Sequence, residues 1–391
     1  MLIGIIGKPS CGKSTFFKSL TLADVEIASY PFTTIKPNRG TSFVRVECIE
    51  KEFNVKCNPR EGYCVDGIRF VPVELLDVAG LVPGAYEGKG MGNQFLDDLS
   101  QANVLVHVID ISGSTNEKGE IVKPLSYNPE NDVLFLENEL NMWFFQIIKK
   151  GWNKFIRQVM MERQELYKSV AKQLSGLGVN EQIADEVIKG FPKTPETDEE
   201  LLQLASLIRK KTKPIIIAAN KIDVEGSFEN FNRLKEKFKD YIIIPCSAES
   251  ELSLREASKK GLIKYIPGDS KFEIIGELND KQKNALKFFE NNILKKYNGT
   301  GVQNVLDKAV FELLKYIAIF PGGLSKLEDS QGRILPDCFL LPQNTTALDF
   351  AFKIHTDIGN KFVKAIDVKK RLPVGKEHKL KNRDVIEIKT S

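Results

Sequence analysis

An α/β fold built on a buried parallel sheet, interrupted by a helical insertion and followed by a small β-rich unit, is predicted by three features of the 391-residue sequence. Apolar runs at 2–6, 71–76, 103–111, 214–219 and 241–244 have the length of buried strands and end in polar or glycine-containing turns. Between the third and fourth runs the spacing changes to threes and fours, the period of amphipathic helices. Beyond about residue 319, short strand-like runs return around one capped helix.

The first run breaks into Gly7-Lys8-Pro9-Ser10-Cys11-Gly12-Lys13-Ser14, which fits G-x-x-x-x-G-K-[ST], and continues through Thr15 into a helix. In this pattern backbone N–H groups from Lys8 to Lys13 converge on phosphate oxygens at the positive end of the helix, and Gly7 and Gly12 permit close approach. Lys13 can reach the β and γ phosphates as a point charge. Ser14 can complete the shell of a Mg²⁺ that keeps most of its water. The expected ligand is therefore a nucleoside triphosphate with Mg²⁺.

Residues 28–37 contain two prolines and neither helical nor strand period, and read as a loop. Such a loop can bring a threonine to the metal and the γ phosphate, a role assigned to Thr34 rather than Thr33. The run 71–76 ends in Asp77-Val78-Ala79-Gly80. Asp77 can hold the metal's water shell and Gly80 can offer its N–H to the γ phosphate, although D-x-x-G by itself also makes ordinary turns. The four glycines of 81–92 suggest a second switch. His107, inside the next strand-like run, is read as packing rather than chemistry.

Trp152, Phe155, Ile156, Val159, Leu166, Val170 and Leu174 predict one long amphipathic helix, with a second near 183–188. Trp143, Phe144 and Phe145 are expected in its core. Thr197-x-x-Glu200 is a capping-box signature opening a helix that runs to about residue 210. The run 214–219 ends in Asn220-Lys221-Ile222-Asp223, N-K-x-D, and the run 241–244 is followed by Cys246-Ser247-Ala248. Both lie just past strand ends, where open parallel sheets bind ligands. Asp223 can accept two hydrogen bonds from guanine, and the Ala248 N–H can donate to the guanine carbonyl. Adenine would leave a carboxylate unpaired, at a cost of about 1–3 kcal/mol or more. The base expected is guanine, and the substrate GTP.

The composition, 42% hydrophobic and 28% charged, is that of a globular chain with room for two or three domains. No apolar run approaches the ~18 residues of a membrane span, and no secretory signal opens the chain, so a cytoplasmic protein without membrane association is expected. Six scattered cysteines suit a reducing compartment. Cys57 and Cys64, separated by six residues, fit a reduced hairpin pair better than a zinc pair.

The stretches GKPSCGKSTFF, YPFTTIKPNRG, DVAGLVPGAYEGKGMGNQFLDDL, NKID and CSA together resemble the translation-factor-like GTPases of the Obg family, and among them the YchF subfamily of the archaeal and fungal type that keeps N-K-x-D. The resemblance covers nearly the whole chain. It implies a P-loop NTPase fold of the Ras-like G domain type, an inserted helical domain and a C-terminal β-grasp TGS domain associated with RNA. The expected boundaries are 1–127 and 211–318 for the two parts of the G domain, 128–210 for the insertion and 319–391 for the TGS domain. Asn220 follows Asp77 by 143 residues, which independently requires an insertion, since two βαβ steps need on the order of 60.

Leu81 stands where GTPases commonly carry a water-orienting Gln, so the stimulating group is expected from elsewhere: another segment, a partner such as the ribosome, or a monovalent cation. Relatives that use potassium carry an Asn where this chain has Ser10. From Lys353 to the end there are eleven Lys/Arg against five Asp/Glu, a surplus of +6 in a chain whose net charge is +4. With the resemblance, this implies ribosomal RNA or tRNA as partner. The leading expectation is a GTP-hydrolysing switch acting on ribosomes. An ATPase of the same fold and a GTP-gated RNA-binding module are the alternatives. The chain without residues after about 319 is expected to fold and bind GTP.

Overall fold

The computed structural model describes residues 1–22, 38–78, 98–191 and 193–391. Thr34, Gly80 and both switch-like segments, 28–37 and 81–92, lie outside the described residues. The strands are β1 Leu2–Ile6, β2 Asn38–Glu47, β3 Tyr63–Val65, β4 Ile68–Asp77, β5 Val104–Asp110, β6 Ile215–Asn220, β7 Ile242–Pro245, β8 Ile263–Tyr265, β9 Phe272–Ile274, β10 Tyr316–Pro321, β11 Phe339–Pro342, β12 Phe362–Asp367, β13 Leu372–Val374 and β14 Val385–Thr390. The chain forms two compact units, Met1–Gly40 with Glu74–Val305, and Thr41–Val73 with Leu306–Ser391.

In the first unit the end of β4 joins β1, β5, β6 and β7 in the order β4-β1-β5-β6-β7, every pair parallel. β1, β5 and β6 are buried along their whole length, which is why they read as unbroken apolar runs. Register aligns Ile5 with Asp77, Ile6 with His107 and Asp110 with Asn220. The carboxyl ends of the strands thus come level along one edge, where ligands bind in such sheets.

The insertion carries its own core. Helices Glu130–Lys149, Trp152–Met161, Leu166–Gln173, Glu181–Ile188 and Asp198–Thr212 pack around Phe144, Trp152, Val170, Ala184, Leu204 and Ile208. The single long helix expected from 152 to 174 is two. Arg163 adopts φ 53, a left-handed conformation that ends the first helix, and its N–H turns back to Met160 O. Thr197 and Glu200 form the expected reciprocal cap. Trp143 packs at the rim of this core and Phe144 is fully buried within it.

In the second unit β10 to β14 form a mixed sheet in the order β11-β10-β14-β12-β13, parallel only between β10 and β14. The helix Ala347–Ile354, capped by Thr346 and Asp349, lays Phe350 into its core with Ile319, Leu341 and Ile386. Thr41–Val73, which the sequence reading puts in the first part of the G domain, belongs to this unit because its buried Arg69 donates to Leu335 O at 3.0 Å and Pro336 O at 2.8 Å. A cut near residue 319 would remove both of these acceptors together with most of the unit that buries the guanidinium.

A buried charge network fixes the helix after the phosphate-binding loop, Lys13–Thr21. Arg255 donates to Leu20 O at 3.0 Å, to Gln303 Oε1 at 3.2 Å and to Glu251 at 2.7 Å, and Glu251 also accepts from Tyr265 and Thr300. The cation sits at the helix's negative end. Removing one partner of a buried pair leaves the other uncompensated, so Glu251→Leu is expected to destabilise the first unit by about 3–5 kcal/mol. An unchanged denaturant midpoint would exclude that structural role.

Candidate nucleotide-binding site

The loop after β1 is tight because it has no room to be otherwise. A Cβ on Gly7 would lie 2.4 Å from Val108 O, and one on Gly12 would lie 2.2 Å from Asn220 Nδ2. Gly12, at φ 93, caps the helix Lys13–Thr21 without offering a side chain, which leaves the first helical N–H groups for an anion. Ser10 also takes a left-handed φ of 62. Cys11 is fully buried, and burial raises its thiol pKa to about 11, which makes it a packing residue rather than a nucleophile.

Lys13 Nζ pairs with Asp77 Oδ1. The other carboxylate oxygen, Asp77 Oδ2, is buried and has no partner among the described residues. An orphaned oxygen of this kind, with a half-buried Ser14 at the head of the helix, fits the donor set of a Mg²⁺ held through its water shell. Lys8 goes elsewhere. Its ammonium lies 2.9 Å from Asp132, donates to Thr115 O at 2.8 Å and sits 3.8 Å over the Tyr127 ring. Only the Lys8 backbone remains for a phosphate.

The N-K-x-D turn is fastened to the loop. Asn220 Nδ2 donates to Cys11 O at 3.0 Å, while Asn220 Oδ1 accepts from the Ala248 N–H at 3.0 Å. The Ala248 N–H, expected at the guanine carbonyl, here donates to Asn220. Lys221 Nζ donates to Ser10 O and to Asp110 Oδ2, both at 2.9 Å. Ser247 caps the helix Ala248–Lys259 and its N–H is held by Thr300 O at 2.9 Å. Asp223 differs from all of these. Its half-buried carboxylate makes no hydrogen bond or ion pair with any described residue, which leaves it open to a base.

Asp110 is a positioning residue of this site that the sequence reading did not single out. It ends β5, is fully buried, and accepts from Ser114 and Thr115 at 2.8 Å as well as from Lys221. Burial pushes its carboxyl pKa up, but the Lys221 charge and the hydroxyl donors outweigh it, and the net direction is down. An acidic residue closing an apolar strand, the same signal as Asp77, could have found it.

His107 is packing, as expected. Burial first, then the Lys8 charge, lower its pKa from 6.5 to about 3. Between these values the unfolded chain binds a proton that the folded chain refuses, so stability rises with pH through this window and is lost on acidification. His107→Leu should therefore lose less stability than the parent between roughly pH 7 and pH 4.5. Parallel losses in urea unfolding would exclude His107 as a source of acid sensitivity.

The first unit, with this loop at a strand end, is a P-loop nucleotide-binding domain. Three family models match the chain: "50S ribosome-binding GTPase" at residues 2–139, "Obg-like GTPase YGR210-like, G4 motif-containing domain" at 218–322 and "TGS domain" at 331–390. The chain is 48% identical over 392 residues to a GTP-binding protein of Methanocaldococcus jannaschii, covering 99% of this chain and 98% of that one. It is similar to the crystal structure of a GTP-binding protein from Pyrococcus horikoshii at TM-score 0.79 and 35% identity, with both chains fully covered. A more distant relative, 28% identical over 93% of this chain and 86% of its own length, is named ribosome-binding ATPase YchF in Buchnera aphidicola. The chain belongs to the Obg-like GTPases of the YchF type, with a C-terminal TGS domain. Among the described residues no helix is long and apolar enough to cross a membrane.

Proposed function

We propose that the protein is a Mg²⁺-dependent GTP-hydrolysing switch that acts on ribosomes or their RNA. The observation that carries this reading is the pairing of Lys13 with one oxygen of a buried Asp77 whose other oxygen has no described partner. Mg²⁺ bound there would neutralise phosphate charge. Ser14, Asp77 and Thr34 would hold it. Lys13 would carry the β and γ phosphates, the N–H groups from Lys8 to Lys13 would cradle them, and Gly80 would complete the γ-phosphate contacts. The unengaged Asp223 supports guanine as the base, and Asn220 and Lys221 hold its turn against the loop.

A distant relative is named an ATPase, so base choice is the first thing to test. Asp223→Asn should weaken GTP binding by about 1–3 kcal/mol and favour xanthine nucleotide, whose extra carbonyl matches an amide donor. Equal affinity of the parent for ATP and GTP, or unchanged guanine selectivity in the variant, would overturn the assignment. Leu81 cannot orient water, so turnover should be slow alone and rise with ribosomes. No stimulation at saturating ribosome concentration would leave a GTP-gated RNA-binding module as the better reading.

The TGS domain supports ribosomal RNA or tRNA as partner, through fewer charges than its composition suggests. Of its eleven basic residues beyond residue 352, Lys369 pairs with Glu52, Lys370 with Asp367, Arg383 with Glu47 and Lys389 with Glu387. Lys361, Lys364 and Arg371 are among the exposed remainder and make no ion pair with described residues. Reversing these three to Glu should lower the log–log salt slope of RNA binding by about 2–3. An unchanged slope would remove this surface from the RNA contact.

A further inference from the structure

Cys57 and Cys64 are not the isolated pair that their spacing suggests. The strand β2 ends at Glu47 and delivers Cys48, the turn Ile49–Lys51 follows with Glu50, and β3 carries Cys64 back beside them. The sulfurs of Cys48, Cys57 and Cys64 and a Glu50 carboxylate oxygen all lie within 4.8 Å of one another. Cys48 and Cys57 are buried, and all three thiols are free.

One separation matches the edge of a coordination tetrahedron. Cys48 Sγ and Cys57 Sγ are 3.7 Å apart. A disulfide would need about 2.05 Å. Tetrahedral zinc with Zn–S bonds of about 2.3 Å places neighbouring sulfurs about 3.8 Å apart, the edge of the tetrahedron. Three sulfurs and a carboxylate are a soft donor set with a single hard member, which suits zinc rather than Mg²⁺ or Ca²⁺.

The surrounding backbone holds these donors in place. The Cys48 N–H donates to Gly67 O at 2.8 Å, and the Cys57 N–H donates to Glu50 Oε2 at 3.0 Å. Asp66 and Gly67, at φ 52 and 82, make the two-residue turn that folds β3 onto β4 and sets Cys64 in register with Arg69. Glu50 forms no ion pair with any described residue. It lines an open cleft of about 540 Å³ through which a metal can approach.

We infer that Cys48, Cys57 and Cys64, with Glu50 as fourth ligand, form a structural Zn²⁺ site in the second unit. Binding releases the thiol protons and involves no redox step. The site closes a loop whose Asn58 and Arg60 N–H groups donate to Ile334 O at 2.8 Å and Pro336 O at 2.9 Å, so the metal braces the segment that lies against the start of the TGS domain. Cys338 stands outside the cluster.

The test uses the full-length protein, purified under reducing conditions and then exposed to zinc or cobalt alone. Elemental analysis is expected to find about one zinc per chain. Cobalt substitution should give the thiolate charge-transfer and ligand-field bands of a tetrahedral site. Cys57→Ser and Cys64→Ser should each lose most of the zinc, as should Glu50→Gln, whereas Cys338→Ser should keep it. A parent protein that takes up no zinc and gives no cobalt bands would overturn the site, whether or not the variants fold. A Cys48–Cys57 disulfide found by mass spectrometry of freshly alkylated protein would overturn it too. Zinc retained by Glu50→Gln would overturn Glu50 as the fourth ligand, and zinc lost by Cys338→Ser would overturn the assignment of the three sulfurs.

Discussion

The nucleotide site depends on one amide side chain. Asn220 stands at the end of a buried strand, where its two polar atoms could each cost about 1–3 kcal/mol if left unpaired. Both are used: one fastens the phosphate-binding loop at Cys11, the other fastens the Ala248 N–H. Three chain segments from distant parts of the sequence are thereby held to one point. Gly12 must be glycine for the same reason, since the asparagine occupies the space that any Cβ would take.

The lysines of the two motifs divide the electrostatic work in an uneven way. Lys13, paired with Asp77, is the lysine proposed to meet phosphate charge. Lys8 is spent on Asp132 and Lys221 on Asp110, each tying a strand-end loop to a buried carboxylate. For Asp132, burial raises the carboxyl pKa and Lys8 pulls against it without reversing the direction. For Asp110 the balance falls the other way, because several hydroxyls reinforce the lysine.

Features encoded in contiguous residues were legible in the sequence. The strands β1, β5 and β6 are apolar on both faces, the phosphate-binding loop is a fixed spacing of glycines and a lysine, and the Thr197 and Thr346 caps are local hydrogen-bond patterns. What was not legible depends on contacts across long separations. Asp110 belongs to no compact motif. The break at Arg163 comes from a single left-handed residue inside an unbroken apolar period. The destination of Thr41–Val73 is decided by Arg69 reaching carbonyls 266 and 267 residues away. The cysteine cluster stayed hidden because Cys48 and Glu50 meet Cys57 and Cys64 only after a hairpin has formed.

That excursion changes how the chain is organised. A linear reading ends one domain and begins another at about residue 319, as if the TGS domain were appended. Instead the second unit is assembled from two stretches, and the earlier of them leaves the first unit after Gly40 and returns at Glu74. Its two ends are thus covalently continuous with both proposed metal-binding segments: Thr34 lies six residues before Gly40, and Asp77 three residues after Glu74. β4 itself begins in one unit and ends in the other at Asp77. The proposed zinc site lies within the same excursion, where it would keep the hairpin feeding β4 from yielding first.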